Sequence, residues 1–145
     1  MITVLYVDPD PKICPIISHI FEKYGGASVF PAGSGEEALV WLSRYHADVI
    51  VSEYSLPEMT GIGLLHKLRF DGVSLPFIIF SESDSAGAKN EAYHEDVFGF
   101  ISRRGLERRP ILNLLRLIYW ACGSSETDYL FSGKELEDTG CGQDL

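Results

Sequence analysis

Five short apolar runs recur along the chain, and a stretch with helical spacing follows each of them. The runs are rich in β-branched and aromatic residues and end at polar or turn residues, which is typical of buried parallel strands. They cover residues 2–7, 27–30, 49–51, 76–80 and 97–101. Strands that alternate with helices predict an α/β fold, with a five-stranded parallel sheet between two layers of helices.

The first two predicted helices have recognisable start signals. Asp10 is a suitable N-cap and Pro11 suits the first helical position, whereas Pro15 lacks a backbone donor and predicts a kink or an irregular first turn. Gly25 ends this helix. The second helix opens at Ser34 with a capping-box pattern. The fourth helical stretch, residues 83–95, is polar and has the weakest signal.

The last helical stretch, residues 107–122, has apolar residues on more than one face. A surface helix usually shows a single apolar stripe, so the surplus predicts a second contact: a homodimer, another protein, or the tail of the chain folding back. The residues predicted for this contact are Ile111, Leu114, Leu115, Ile118 and Tyr119.

Composition narrows the class of protein. The length of 145 residues suits one domain, which is predicted at residues 1–122. A polar, acidic tail or linker is predicted at residues 123–145, and within it only residues 129–131 suggest a docking segment. The net charge of −9 disfavours direct nucleic-acid binding. Three widely spaced cysteines suggest no disulfide framework and favour a reducing cytoplasm. No signal peptide or membrane span is predicted.

Polar residues stand where four of the predicted strands end. They are Asp8, Glu53, Ser81 and Arg103. The carboxyl ends of parallel strands meet at one edge of a sheet, where ligands bind in open α/β folds. Carboxylates hold hard cations such as Mg²⁺, and a hydroxyl with a cation can contact phosphoryl oxygens. The pattern therefore predicts a phosphoryl or metal-phosphate site.

Four stretches carry a family resemblance: VLYVDPDP, DVIVSEYSLPEMTGIGLLHKLR, LPFIIFSES and FGFISRRG. Together, in this order, they make residues 1–122 resemble the receiver domain of two-component response regulators, and more finely the receivers attached to archaeal sensor kinases. The resemblance implies a flavodoxin-like (βα)5 fold and a histidine kinase or downstream signalling protein as partner. It also implies pairing of receivers through the face that extends from the fourth strand to the fifth helix.

In that family an aspartate at the end of the third strand accepts a phosphoryl group, and two acids after the first strand bind Mg²⁺. By resemblance, Asp8 matches the first acid, but Pro9 occupies the second position and cannot ligate a metal. Asp10 lies one residue too far on. A metal site would rest on Asp8 and Glu53, weakened by Pro9.

Three further positions correspond to functional positions of the family. Glu53 stands in place of the phosphoacceptor aspartate, Ser81 is an accepted residue at the switch position, and Arg103 replaces a lysine. The residue two before Arg103, where the family often has an aromatic switch residue, is Ile101. Glutamate extends the carboxylate by about 1.5 Å, which is enough to disturb in-line attack. It also brings a negative charge closer to Arg103 and predicts a direct Glu53–Arg103 ion pair.

These departures favour a receiver-like domain that is not phosphorylated by the usual route and acts as a constitutive protein-interaction module. One alternative is a working receiver that uses Mg²⁺, with phosphate accepted by Glu53, Ser52 or Ser55. Another is a flavodoxin-like binder of a nucleotide or flavin, although no Gly-rich loop follows the first strand. An enzyme is not predicted, because the sequence offers no nucleophile–base pair.

Overall fold

The computed structural model describes residues 1–83, 86–103 and 107–123. The strands are β1 (Ile2–Val7), β2 (Ala27–Ala32), β3 (Val49–Ser52), β4 (Ser55–Leu56), β5 (Met59–Thr60), β6 (Phe77–Ser81) and β7 (Gly99–Ser102). The helices are α1 (Ile13–Tyr24), α2 (Gly35–Arg44), α3 (Gly61–Phe70), α4 (Ala86–Tyr93) and α5 (Arg108–Ala121). The predicted tail beyond Gly123, including residues 129–131 and Cys141, lies outside the described residues.

The five long strands form one parallel sheet in the order β2-β1-β3-β6-β7. The predicted α/β fold with a five-stranded parallel sheet is therefore confirmed. Val7 on β1 pairs with Ser52 on β3, so the next residues, Asp8 and Glu53, leave the sheet side by side. This register places the two acids at one edge.

The sheet is covered on both faces, because its central strands are apolar on both sides. One core cluster joins β1, β3 and β6 to α1 and α5, and includes Tyr6, Phe21 and Leu115. The other joins the opposite face to α2, α3 and α4, and includes Leu65 and Phe77. Helix α4 contributes little to this core, since only Ala88 and Ala92 are buried on it. None of the helices in the described ranges combines the length and the hydropathy that a bilayer-crossing helix needs.

The start of α1 differs from the prediction. The N-cap position is Lys12, which makes no side-chain capping bond, and the helix begins at Ile13. Asp10 instead accepts a hydrogen bond from the Lys12 backbone N–H at 3.0 Å, which is a local turn contact. Pro15 lies in the first helical turn, where backbone N–H groups have no partner within the helix, so the helix continues through it.

The five residues predicted for a contact on the last helix belong to the core of the chain itself. Ile111, Leu114, Leu115, Ile118 and Tyr119 are each at most 1% exposed. The prediction of these residues as an interface is wrong, because α5 packs this face against the sheet and α1. A homodimer through the last helix stays a prediction, and it would have to use the opposite side of α5, where Trp120 is 67% exposed.

A short hairpin between β3 and α3 was not predicted. Strands β4 and β5 pair antiparallel around Pro57 and Glu58, and Glu58 adopts a φ of 65°. Strand β5 leads directly into α3, whose N-cap Thr60 accepts a hydrogen bond from Gly63. The hairpin therefore determines how the backbone passes from Glu53, the residue after β3, to the start of α3.

Candidate functional site

The structure brings the four predicted polar residues to the carboxyl edge of the sheet. Asp8 follows β1, Glu53 follows β3, Ser81 ends β6 and Arg103 follows β7. Asp8, Ser81 and Arg103 are buried, whereas the Glu53 side chain keeps 12% exposure. Buried charge at a strand edge requires partners, and each of these residues has them.

Arg103 lies at the centre of the cluster. Its Nη2 atom is 3.1 Å from Asp8 Oδ2, with both side chains only 4% exposed, and 3.9 Å from Glu53 Oε1. Its Nη1 donates to Glu82 Oε1 at 3.2 Å. The guanidinium also lies 5.5 Å from the centre of the Phe80 ring, within cation–π range. The predicted Glu53–Arg103 contact is therefore present as a charge contact, but the hydrogen-bonded partner of Arg103 is Asp8.

The Glu53 carboxylate is held mainly by backbone N–H groups. Oε2 accepts from Tyr54 at 2.8 Å, and Oε1 accepts from Glu82 at 3.3 Å. The backbone approaches closely here as well, since a Cβ added at Gly61 would lie 2.7 Å from the Glu53 carbonyl oxygen. Both carboxylate oxygens thus have a donor, and the side chain is fixed between two strand ends.

Asp8 is surrounded by donors. The Tyr6 hydroxyl donates to Oδ2 at 2.9 Å, and the Asp10 backbone N–H donates to Oδ1 at 2.9 Å. Burial, followed by the negative charge of Asp8, raises the pKa of the Tyr6 phenol far above its usual value. Tyr6 therefore remains a protonated donor, and Asp8 is satisfied by a phenol, an amide and a guanidinium.

Two other predicted site residues make local contacts. Ser81 is fully buried and its Oγ accepts from the Ser83 backbone N–H at 3.0 Å. Asp10 is exposed, and its Oδ1 accepts from the Lys12 backbone N–H at 3.0 Å. Their assigned roles in switching and in an acidic pocket remain predictions.

The divalent cation that the resemblance implies does not fit this donor set. Pro9 supplies no ligand, Asp10 Oδ1 already accepts from the Lys12 backbone N–H, and the Arg103 guanidinium contacts both Asp8 and Glu53. A cation beside Asp8 would have to displace Arg103, a like charge that is already hydrogen-bonded there. Among residues 1–83, 86–103 and 107–123, no group of three or more His, Cys, Asp or Glu side chains is arranged to hold a metal ion.

Several residues of the cluster were missed from the sequence. Tyr6 precedes Asp8 by two positions on a strand, so alternation places both on one face, which is a signal that could have found it. Glu82 and Phe80 flank Ser81 and contact Arg103 from either side. Their role depends on the direction of the Arg103 side chain, which the sequence does not specify.

The family follows from comparison of the sequence with known proteins. The profile of the response regulator receiver domain matches residues 4–114. The chain belongs to the receiver domain family. Receiver domains are signalling modules of two-component systems, and they interact with histidine kinases and downstream effectors. The resemblance to receiver domains that the sequence stretches carry is therefore confirmed.

Curated relatives of this receiver domain are longer proteins. A probable transcriptional regulatory protein of Mycobacterium tuberculosis, TcrX, is 34% identical over 84 residues, which is 58% of this chain and 36% of the relative. The transcriptional activator protein ExaE of Pseudomonas putida is 31% identical over 69% of this chain and 47% of its own length. A protein-glutamate methylesterase/protein-glutamine glutaminase of Treponema denticola is 35% identical, over 24% of its own length. The chain thus spans less than half the length of these relatives.

Solved structures agree with the fold. The receiver domain of the Francisella response regulator 1452 superposes with a TM-score of 0.69 at 30% identity, covering 83% of this chain and 98% of that one. The response regulator domain of Thermotoga maritima CheB gives a TM-score of 0.74 at 22% identity, covering 86% of this chain and 98% of that one. The second similarity shows the flavodoxin-like fold alone.

Proposed function

We propose that this receiver domain acts as a protein-interaction module whose state does not depend on phosphorylation of residue 53. The observation that carries the proposal is the position of Arg103, with one guanidinium nitrogen 3.1 Å from Asp8 and 3.9 Å from Glu53. In this arrangement the chain supplies the cation of its own acidic cluster. The single positive charge of Arg103 then partly balances Asp8 and Glu53 without Mg²⁺.

The environment of Glu53 supports the same conclusion. A carboxylate that attacks a phosphoryl group needs one oxygen free and aligned with the leaving group to within about 0.5 Å. Both oxygens of Glu53 accept backbone hydrogen bonds, and the longer side chain reaches toward Glu82 and Arg103. Glu53 in place of aspartate would therefore hold the β3 and β6 ends together rather than react.

The partners we propose are a histidine kinase or a downstream signalling protein, which bind the domain without phosphoryl transfer. The module would serve as a binding partner and not as a catalyst in its own right. The acidic net charge argues against direct contact with nucleic acid. The widely spaced cysteines support the reducing cytoplasm as its compartment. Residues 1–122 would form the module and 123–145 its tail or linker.

The test is the intact mass of the full chain after incubation with Mg²⁺ and acetyl phosphate. We expect no adduct on the parent chain. The Glu53→Asp variant alone should also stay unmodified, because Pro9 and Arg103 remain. The variant that combines Glu53→Asp with Pro9→Asp and Arg103→Lys should gain about 80 Da, the mass of one phosphoryl group. Glu36→Asp, an exposed change on α2, is the matched control and should gain nothing.

A parent chain that gains about 80 Da would contradict the proposal and favour a working receiver. The acceptor could then be Glu53, Ser52 or Ser55, and hydroxylamine separates these cases, since it cleaves an acyl phosphate but leaves a phosphoserine intact. Ser52 is fully buried and donates to the Glu53 carbonyl at 2.8 Å, whereas Ser55 is exposed. An adduct that resists hydroxylamine would therefore point to Ser55.

A further inference from the structure

A groove of about 1240 Å³ runs between α4, β7 and α5, away from the acidic cluster. Its floor is apolar and includes Phe100, Ile101 and Leu117. Tyr93 on α4 and Trp120 on α5 line it and are 88% and 67% exposed. Two large aromatic side chains left on the wall of one groove mark a surface that another segment can cover.

The rim of the groove differs in charge from the rest of the protein. Lys89, Arg109 and Arg116 line it, opposed by the single acid Glu107, in a chain whose net charge is −9. The Ser102 hydroxyl also lines it and is buried with no hydrogen-bond partner among the described residues. A cationic rim and an apolar floor fit an acidic peptide with apolar anchors.

The chain itself carries such a peptide directly after α5. Residues 124–145 contain six acidic residues and one lysine, and the first part of this segment combines Glu126 and Asp128 with the apolar sequence Tyr-Leu-Phe at 129–131. This order of acids followed by apolar anchors matches a groove with a cationic rim and an aromatic wall. We propose that residues 126–131 dock in the α4–β7–α5 groove of the same chain.

The distances allow this contact in cis. Six residues from Gly123 to Tyr129 span up to about 20 Å when extended. The eleven positions of α5 from Pro110 to Trp120 cover about 15 Å along the helix axis. A segment that turns back at Gly123, where φ is 70°, can therefore pass Trp120 and reach Arg116 and Arg109. A segment attached this close is present at high effective concentration, so modest contacts suffice to hold it.

Docking in cis has a regulatory consequence. The covered groove includes the exposed side of α5, which is the surface that a second copy or another protein would need. A partner that uses this face has to displace residues 126–131 first. The tail would therefore set a threshold for binding, and this holds whether or not residue 53 is ever phosphorylated.

The test measures the solvent exposure of Trp120 in the full chain. Every protein compared carries Trp41→Phe, so that Trp120 is its single tryptophan. Acrylamide quenching is compared between this protein and the Leu130→Ser/Phe131→Ser variant. We expect the variant to be quenched roughly twofold more strongly, because a docked segment would cover about half of the Trp120 side chain. Leu136→Ser, in the same tail but outside the proposed segment, should leave the quenching unchanged.

A charge change tests the groove from the other side. Arg116→Glu should increase quenching as the tail variant does, whereas Arg44→Glu on α2 should not. Added salt should also release the tail, because the contact is largely electrostatic. Equal quenching in the parent and in Leu130→Ser/Phe131→Ser would overturn the proposal. Protection of Trp120 that increases with protein concentration would overturn it in favour of a second copy, and circular dichroism shows whether each variant is folded.

Discussion

Arg103 is almost fully enclosed, yet three carboxylates from different segments surround it. Asp8 and Glu53 follow the neighbouring strands β1 and β3, and Glu82 follows β6. Its Nε atom is buried without a hydrogen-bond partner in the described part of the chain, so the pairing leaves one polar atom unsatisfied. Burying this charge is costly, and only the partners on its other nitrogens offset that cost.

The first prediction concerns the removal of this cation. Arg103→Met should lower the free energy of unfolding by about 3–5 kcal/mol, because it leaves Asp8 charged and buried beside a methionine. Adding Asp8→Asn to Arg103→Met should recover at least about 1 kcal/mol, since the buried charge of Asp8 is then gone while hydrogen bonds to Tyr6 and Asp10 can persist. Urea unfolding measures both values.

Lys67→Met is the matched control, because Lys67 pairs with Asp71 at 3.6 Å on the surface of α3. The loss of that pair should change stability by no more than about 0.5 kcal/mol. An Arg103→Met protein as stable as Lys67→Met would show that the cluster does not depend on its cation.

The second prediction concerns pH and Cys14. Burial, followed by the charge of Asp8, raises the pKa of the Cys14 thiol from 9.0 to about 11. At pH 8 iodoacetamide should label Cys14 in the folded protein about a hundredfold more slowly than in urea, from thiolate fraction alone. The rate should climb about tenfold per pH unit between pH 7 and 9.5. Peptide mass spectrometry measures labelling at this residue.

The raised pKa of Cys14 also determines how the stability of the fold changes with pH. A thiol whose folded pKa is raised stabilises the fold while it is protonated, so this contribution is complete below pH 9 and is lost as the pH rises through about 11. Cys14→Ala should flatten that part of the stability profile. A labelling rate that levels off near pH 9 in the folded protein would contradict the raised pKa.

For single residues, the sequence predicted where each site residue lies in the fold better than it predicted which side chains contact each other. Asp8, Glu53, Ser81 and Arg103 were placed correctly at one edge, because the ends of parallel strands converge there. The predicted Glu53–Arg103 ion pair is present at 3.9 Å, but the closer pairing of Arg103 with Asp8 was not predicted, since a long flexible side chain can reach either acid. The direction of the Arg103 side chain depends on the residues that pack around it in the folded protein.

Helix α3 begins where the backbone after β3 turns back, and Gly61 is the residue at that junction. Its N–H donates to the Tyr54 carbonyl, and a Cβ on it would lie 2.7 Å from the Glu53 carbonyl oxygen and 3.0 Å from Ile79 Cδ1. The first of these atoms is backbone and cannot rotate away. The start of α3 at Gly61 therefore requires a residue without a side chain.

The third prediction is that Gly61→Ala lowers the free energy of unfolding by about 1–3 kcal/mol, because the added methyl group forces the backbone beside Glu53 to shift. Gly87→Ala on α4 is the matched control, since a Cβ there meets nothing within 4 Å. That change should stabilise the protein by about 0.5–1 kcal/mol through helix propensity. Thermal unfolding distinguishes the two, and a tolerated Gly61→Ala would show that this junction adjusts freely.

The elements themselves were largely predictable. All five long strands and all five helices appear near their predicted positions, because apolar runs and helical periodicity agree with the burial that the fold provides. The β4–β5 hairpin was missed because four strand residues around Pro57 and Glu58 carry no alternation. The face of α5 was misjudged for another reason. A helix that packs on both the sheet and α1 needs a broad apolar surface of its own.

Two core clusters lie on opposite faces of one sheet, and they share its central strands. Residues alternate between the faces along β1, so Val4 and Tyr6 join one cluster and Leu5 and Val7 the other. Neither layer of helices can leave without exposing one side of the same strands. The molecule should therefore lose both clusters together.

The fourth prediction is a single cooperative transition. Trp41 packs against the cluster that contains α2 and α3, whereas Trp120 lies on α5, which belongs to the other. The Trp120→Phe and Trp41→Phe variants each leave one reporter, and urea midpoints normalised to circular dichroism of the same variant should coincide. Midpoints that separate by face would indicate that one layer of helices unfolds first.

The pairing of Asp8 with Arg103 joins residues 95 positions apart, and this has a consequence for biosynthesis. A ribosome makes Asp8 and Glu53 first, and the cation between them arrives fifty residues after Glu53, or about 2.5–10 s later at 5–20 residues per second. Until then the nascent chain carries these two carboxylates without the cation that pairs with them in the folded domain. Arg103 follows β7, so these carboxylates gain their pairing partner only after the last strand of the sheet has been made.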